Sequence, residues 1–295
     1  MDDSRISVVT PSYNQGQFIE ETIRSVLEQR YRNVEYLVLD GGSTDGTIEV
    51  LQKYDAELNF WRSEKDGGEA AAINEGFGRA TGDILCWLNS DDLHVATTLS
   101  TVAKLLGSSL EMPVVLYGGC EWFADRTLWR EVRPAVPFSR GLLETADFLT
   151  QPSVFWTRRA WEVVGPLDET LHYGLDWEWF LRASKVCRFI STDALLSRYR
   201  VHNAQKTGIG GEKRWIELLE IVRRHSSPAV VSHYEFLVRN GSARWWLNKR
   251  MRIFQRLRRW SPKAAGSVAD LLSPPFWNLP AAIHKEVLWQ ISGIR

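Results

Sequence analysis

The sequence predicts an α/β fold, a parallel sheet with helices on both faces, followed by a helical and basic C-terminal extension. Three observations lead there. Strand and helix patterns alternate over the first 120 residues, the signature of βαβ units. Each apolar strand run stops at a polar or glycine-rich string, as strands do where an α/β sheet opens to a ligand. The composition, 44% hydrophobic and 24% charged over 295 residues, suits a globular chain large enough to bury a core without disulfides.

The elements follow in order. Ile6-Ser-Val-Val-Thr is a short apolar run that stops at Pro11, as a buried strand should. Phe18, Ile19, Thr22, Ile23, Val26 and Leu27 then recur at helical spacing. Val34-Glu-Tyr-Leu-Val-Leu is a second strand, ended by Asp40 and two glycines. Ser43 or Thr44 is placed to cap a helix carrying Ile48, Leu51 and Tyr54. Leu58-Asn-Phe-Trp makes a weaker third strand, followed by a helix through Ala70–Arg79 and the strand Asp83-Ile-Leu-Cys-Trp-Leu. A helix over about residues 95–107 and the strand Val114-Val-Leu-Tyr complete the alternation. From 121 to 205 it breaks into short, aromatic-rich elements, with a helix over Asp176–Lys185 and a strand over Ala194–Val201. Glu212–Arg224 is amphipathic with helical period. These patterns divide the chain into a main α/β domain over 1–210 and a helical extension over 211–295.

Composition excludes several classes. No run of about 18 apolar residues occurs, and Met1-Asp-Asp-Ser-Arg does not read as a signal peptide. Cys86, Cys120 and Cys187 are far apart, without metal-ligand spacing, and read as reduced thiols of a cytoplasmic protein. The formal charge is zero, but residues 1–100 carry 18 acids against 8 bases, and residues 201–295 carry 6 against 16. Neither a G-x-x-x-x-G-K-[ST] loop nor a G-x-G-x-x-G turn is present, which argues against an NTPase and a nicotinamide enzyme.

The chemistry-bearing residues cluster at the strand ends. Asp91 and Asp92 follow an apolar strand directly, and adjacent carboxylates repel each other and invite a divalent cation. Asp92 before Leu93 could equally cap a helix. Asp40, in Asp40-Gly-Gly-Ser-Thr-Asp-Gly, could accept a hydrogen bond from a base imide or a ribose, or could merely shape a tight turn. Asp176, between Leu175 and Trp177, is a candidate general base or a first-turn acid complementing its helix dipole. His202 follows the strand Leu195–Val201 and gains meaning only if it faces Asp91.

Taken together, the strings Val8-Val-Thr-Pro-Ser-Tyr-Asn, Val38-Leu-Asp-Gly-Gly-Ser-Thr-Asp-Gly-Thr and Asn74-Glu-Gly-Phe-Gly-Arg-Ala-Thr-Gly-Asp match a known pattern. Trp87-Leu-Asn-Ser-Asp-Asp, Val164-Gly-Pro-Leu-Asp-Glu, Asp176-Trp-Glu-Trp-Phe-Leu-Arg and Tyr199-Arg-Val-His continue it in order. The chain resembles a family 2 glycosyltransferase from about Ile6 to Thr207. The resemblance implies a GT-A type, Rossmann-like sheet, mixed but mainly parallel. It also implies inverting transfer from a nucleotide-diphospho-sugar to a hydroxyl of a glycan or lipid-linked acceptor, in cell-surface polysaccharide biosynthesis. A UDP-sugar is favoured over dTDP- and GDP-sugars, with Mn²⁺ or Mg²⁺ as cofactor.

By the same resemblance, Thr10, Pro11 and Tyr13 line the nucleoside pocket and Asp40 contacts the base. Lys65, Asp66, Asn89 and Ser90 lie near the nucleotide, and Asp91 and His202 serve the metal or the diphosphate. Asp176 is the catalytic base, with Asp92, Gln151 and Trp177 as weaker acceptor-side candidates. Two departures stand out: Asn89 replaces the first acid of the family's Asp-x-Asp, and Leu175 replaces the Glu that flanks the base. They keep open a silent sugar-nucleotide or glycan-binding module. A nucleotidyltransferase of the same fold would need a basic, glycine-rich loop that Thr10–Gln17 lacks.

Between Arg239 and Lys263 there are nine bases and no acid, with Trp245, Trp246, Phe254 and Trp260 interleaved. This segment reads either as a helix lying on an anionic membrane face, making the protein peripheral, or as a helix packed on the domain with its bases in solvent. No nucleic-acid-binding module accompanies it.

Overall fold

The computed structural model describes residues 4–125, 127–206 and 210–241; from Ser242 on, the basic, aromatic segment singled out above lies outside the described residues. The described residues form two compact units, one within Met1–Phe138 and Leu149–Ile209, the other within Ser139–Phe148 and Gly210–Arg295. The segment 139–148, which the sequence reading left in the first domain, belongs to the second unit.

The first unit is built on one sheet, nine-stranded among the described residues, in the order β3-β2-β1-β4-β8-β6-β9-β5 with β7 beside β6. The strands are β1 (Ile6–Ser12), β2 (Val34–Asp40), β3 (Phe60–Ser63), β4 (Ile84–Trp87) and β5 (Leu93–His94). After them come β6 (Val114–Phe123), β7 (Arg130–Arg133), β8 (Val154–Thr157) and β9 (Arg188–Arg200). The helices are α1 (Ile19–Leu27), α2 (Thr47–Lys53), α3 (Glu69–Arg79), α4 (Thr98–Leu106), α6 (Arg158–Val164) and α7 (Leu175–Ala183). In the second unit lie α5 (Arg140–Leu143), α8 (Gly211–His225) and α9 (Pro228–Arg239).

β1 to β4 run parallel, and β8 is antiparallel to both β4 and β6. Because β9 is parallel to β6, its carboxyl end points to the same edge as those of β1 to β4. The sheet is thus mixed and mainly parallel. Its central strands are buried end to end, as strands covered on both faces must be. Pro11, which offers no amide proton, sits beyond the last rung that β1 shares with β4. α1 buries Ile19, Ile23 and Val26 and turns Glu20, Glu21 and Arg24 outward. α3 approaches the sheet so closely that a Cβ at Gly76 would lie 2.4 Å from Val9 Cγ1. Only glycine fits there.

Three expectations need correction. α2 is not capped by Ser43 or Thr44; the Asp45 carboxylate accepts from the Thr47 backbone N–H at 3.0 Å and its hydroxyl at 2.5 Å. A short strand, Leu93–His94, precedes the helix expected from about residue 95, and α4 begins only at Thr98. The region after 121 is not only short elements, since β9 runs for 13 residues. Its length comes from pairing with β6 through a bulge around Gly119.

A cluster of rings anchors α6 and α7. Trp156 of β8 meets Trp179 of α7 at 4.7 Å, Trp87 of β4 at 5.5 Å and Phe77 of α3 at 5.6 Å. Such pairs add about 0.5–1.5 kcal/mol each beyond their buried area. Asn74 clamps the loop before α7, donating to the Leu167 carbonyl at 3.0 Å and accepting from its N–H at 2.9 Å. In the second unit, Tyr234 of α9 donates to the Thr145 carbonyl, and Ser226 donates to that of Glu144.

Candidate active site

The parallel strands deliver their end-loops to one edge, where two sub-sites form. The first combines the loops after β1, β2 and β3. Asn14 adopts a left-handed conformation (φ 52°), tolerated by asparagine better than by most residues. Its N–H donates to Ser43 Oγ at 2.7 Å, and its Oδ1 accepts from the Thr44 N–H at 2.9 Å. With the loop so fastened, the Tyr13 ring stands out, 62% exposed. Pro11 and Thr10 lie below it, buried. The Thr10 side chain is fully buried, its hydroxyl 3.0 Å from the Tyr36 hydroxyl.

Asp40 is also turned inward, with 0% exposure. Its Oδ2 accepts from the backbone N–H groups of Gly42 and Ser43 and from the Ser63 hydroxyl, while Oδ1 accepts from the Ser43 hydroxyl. These bonds close the turn after β2 and tie it to β3. No surface remains for a base, so the expected base contact through this carboxylate is withdrawn. Lys65 is exposed on the loop above, and Asp66 beside it is anchored by the Gly68 N–H at 2.8 Å and by Arg62 at 3.5 Å.

The second sub-site joins the β4 end to the β9 end. β5 pairs antiparallel with β9, setting Leu93 opposite Arg198, and this register brings residues 91–92 to residues 200–202. Asp91 Oδ2 and His202 Nε2 lie 2.9 Å apart, with the imidazole 4.7 Å from the Phe18 ring. The condition set for His202 by the sequence is therefore met in geometry.

Beneath them Arg200, 1% exposed, donates to the Asp91 carbonyl at 2.9 Å and to Glu21 at 2.7 Å, and pairs with Asp125. Its guanidinium lies 4.8–4.9 Å from the Phe18 and Phe123 ring centres. Burial opposes its charge, but the hydrogen bonds to Glu21 and Asp125 outweigh that and raise its pKa further. Lys206 pairs with Glu69 at 2.7 Å.

Asp92 points the other way. Its Oδ1 accepts from the Arg200 N–H at 3.0 Å, and its Oδ2 is buried without a partner. Burial, and then the charge of Asp91, push its carboxyl well above the usual carboxylate range. It neither caps a helix nor opens to an acceptor. Gln151 is likewise buried, donating to the Trp87 carbonyl at 2.9 Å, and Trp177 is 2% exposed. Neither offers an acceptor-side surface, because both side chains are buried. Ser90 is buried, its carbonyl accepting from the Thr22 hydroxyl at 2.9 Å. Asn89 is half-buried, and its Oδ1 has no protein partner. Asp176 occupies the first turn of α7, partly exposed, and accepts from the Trp177 N–H at 2.8 Å.

Sequence reasoning missed Arg200 and the acids it gathers. The available signal was its place two residues before His202, on the same side of the strand as Arg198. The pair Asp91 and His202 offers one carboxylate and one imidazole, a donor set suited to Mn²⁺ or Mg²⁺ whose remaining ligands come from a diphosphate and water. Among the described residues, no group of three or more His, Cys, Asp or Glu forms a complete protein cage. None of the described helices is long and apolar enough to cross a membrane.

The family model for "Glycosyl transferase family 2" matches residues 7–156. An uncharacterized glycosyltransferase of Mycobacterium tuberculosis is 30% identical over 211 residues, covering 70% of this chain and 78% of that one. Among solved structures, TarS 1-349 of S. aureus in complex with UDP-GlcNAc superposes with TM-score 0.59 at 16% identity, covering 98% of this chain and 89% of that one. The mannosyltransferase PcManGT of Pyrobaculum calidifontis, in complex with GDP-Man and Mn²⁺, gives TM-score 0.55 at 18% identity, covering 98% and 86%. These two likenesses establish a shared fold.

Proposed function

The chain belongs to glycosyl transferase family 2, and from that premise we propose an inverting, metal-dependent transfer. The donor is a nucleotide-diphospho-sugar, with UDP favoured over GDP and dTDP. The acceptor is a hydroxyl of a glycan or lipid-linked glycan in polysaccharide assembly. The observation that carries the proposal is the 2.9 Å approach of Asp91 to His202 at the carboxyl edge of the sheet.

Asp91 and His202 would hold Mn²⁺ or Mg²⁺ there, and a cation so held supplies charge neutralisation to a departing nucleoside diphosphate. Arg200 keeps Asp91 in place through its carbonyl, and the unpartnered Asn89 Oδ1 is available to a ribose or sugar hydroxyl. Tyr13 offers its open ring to the base. The acceptor hydroxyl is a weak nucleophile, and Asp176 takes its proton as it attacks the anomeric carbon. Two neighbours support the donor class: TarS is complexed with UDP-GlcNAc, and PcManGT with GDP-Man and Mn²⁺. Membrane association would reside in the basic segment beyond the described residues.

The test is incubation of purified protein with UDP-, GDP- and dTDP-sugars, with Mn²⁺, with Mg²⁺ or with chelator. NMR then follows sugar release or transfer and its anomeric configuration. Cation-dependent turnover of one donor with inversion is expected. Turnover that survives chelation, or that retains configuration, would overturn the corresponding part of the proposal.

A further inference from the structure

We infer that Thr22 of α1 is a positioning residue for the cation: its buried hydroxyl fixes the backbone around Asp91 and so aims that carboxylate toward His202. The inference rests on the reading of Asp91 and His202 as the protein ligands given above.

Asp91 is the third residue of a turn closed by the Asp92 N–H, which donates to the Asn89 carbonyl at 3.0 Å. Three successive carbonyls of this turn are held by side chains from distant elements. Thr22 Oγ1 lies 2.9 Å from the Ser90 carbonyl and 2.9 Å from the Asp92 carbonyl, sharing its one proton between them. Arg200 Nε donates to the carbonyl in between, that of Asp91, at 2.9 Å. A peptide group is planar, so holding its carbonyl holds the whole plane. The two planes that meet at the Asp91 Cα carry the Ser90 and Asp91 carbonyls, and both are held. The direction in which the Asp91 side chain leaves the backbone is thereby set.

Both grips trace back to one side of α1. Thr22 is 0% exposed. Its neighbour Glu21 accepts from Arg200 Nη2 at 2.7 Å. Phe18, at the N-terminal end of the helix, sets its ring 4.7 Å from that of His202. Residues 18, 21 and 22 share a helix side. One rigid element therefore references both ligands, although they are 111 residues apart in sequence.

Packing alone does not call for a hydroxyl at position 22. The other inward residues of α1, Ile19, Ile23 and Val26, are apolar, and valine has nearly the shape of threonine. What the hydroxyl adds is its two contacts with the turn. With one carboxylate and one imidazole to bind it, the cation depends on how those two groups are oriented. Partners that orient a metal ligand typically contribute roughly 10- to 100-fold in metal affinity.

The experiment is calorimetric titration of the full chain with UDP and with GDP, each in Mn²⁺ and in chelator. Wild type, Thr22→Val, Thr22→Ser and Ile23→Val are compared, and each free protein is melted alongside. Wild type is expected to bind at least one of the nucleotides more tightly in Mn²⁺ than in chelator. Thr22→Val should lose roughly 10-fold or more of that enhancement, while its affinity in chelator stays unchanged. Thr22→Ser keeps the hydroxyl and should keep the enhancement, even though it loses a buried methyl group and melts lower. Ile23→Val weakens packing on the same helix and should also melt lower with the enhancement intact. Should Thr22→Val not fold, Thr22→Ala carries the same expectation.

An enhancement unchanged by removal of the hydroxyl would overturn the inference and leave the metal reading standing. Equal losses in Thr22→Val, Thr22→Ser and Ile23→Val would overturn it too, making Thr22 a packing residue only. A wild type that binds neither nucleotide, or binds them equally well in chelator, overturns the metal reading and this inference with it.

Discussion

Removing the Asp40 carboxylate should cost stability, and nucleotide affinity only in proportion to lost folding. It accepts four hydrogen bonds at 3.1, 2.8, 2.6 and 2.6 Å and has no exposed surface. Asp40→Ala strands two backbone N–H groups and two hydroxyls, three of them from the turn itself. Hydrogen bonds to a charged group contribute about 1.5–3 kcal/mol each. Four would exceed what is usually measured, because a turn at the sheet edge can relax and admit water. A total of about 3–5 kcal/mol, equivalent to about two buried donors left unsatisfied at about 1–3 kcal/mol each, is the better guide. At about 2–4 °C per kcal/mol for a domain of 150–250 residues, the melting temperature should fall by about 6–20 °C. Asp40→Asn keeps one acceptor oxygen and should lose about half as much. Calorimetric melting paired with UDP titration at a temperature where the variant remains folded separates the two roles. A variant that melts with the wild type yet no longer binds UDP would refute the reasoning and return Asp40 to the base.

Other perturbations follow from the same geometry. Asp91→Ala should abolish Mn²⁺-dependent stabilisation by the donor while leaving the melting temperature of the free protein nearly unchanged, which thermal shift with and without Mn²⁺ measures. Asp176→Asn should lower kcat by about 10²–10⁴-fold without changing donor affinity; a variant that is merely less stable would make Asp176 a helix-end residue. His94 is buried beside the Phe155 ring, and burial lowers its pKa to about 3 from an ordinary 6.5. Its folded pKa lies below the unfolded one, so its contribution is complete above about pH 6.5 and is lost as pH falls toward 3. Replacing it by the similarly shaped phenylalanine should flatten stability across that window, by up to a few kcal/mol at the acid end; chemical denaturation at pH 7 and 4.5 checks the slope.

Much of the fold was legible because it is written in local pattern. Continuous apolar runs such as Ile84–Trp87, short and bounded by polar residues, read as strands covered on both faces. The spacing of Ile19, Ile23 and Val26 fixes which side of α1 meets the sheet. What was not legible depends on pairing between distant segments. Residues 93–94 looked like the approach to a helix, and only their register with Arg198 and Ser197 makes them a strand. The segment 139–148 carries no composition shift, and its place in the second unit follows from bonds that Ser226 and Tyr234 make to it from about 80–90 residues away.

The site divides along the same line. Asp91 and His202 were readable because each ends a strand of the same direction, and parallel strands must deliver their ends to one edge. Burial at that edge was not readable. A sequence marks Asp40 and Asp66 alike as acids in glycine-containing turns, and nothing in the turn after β2 announces that Ser63, 23 residues on, will donate to Asp40. The same blindness applies to Asp91 and Asp92: one carboxylate meets an imidazole, while its neighbour turns inward onto the Arg200 backbone. Adjacent acids at a strand end point to opposite sides, so at most one of them can face the ligand. Which one is decided by the register of β5 on β9, and in this chain the choice falls on Asp91.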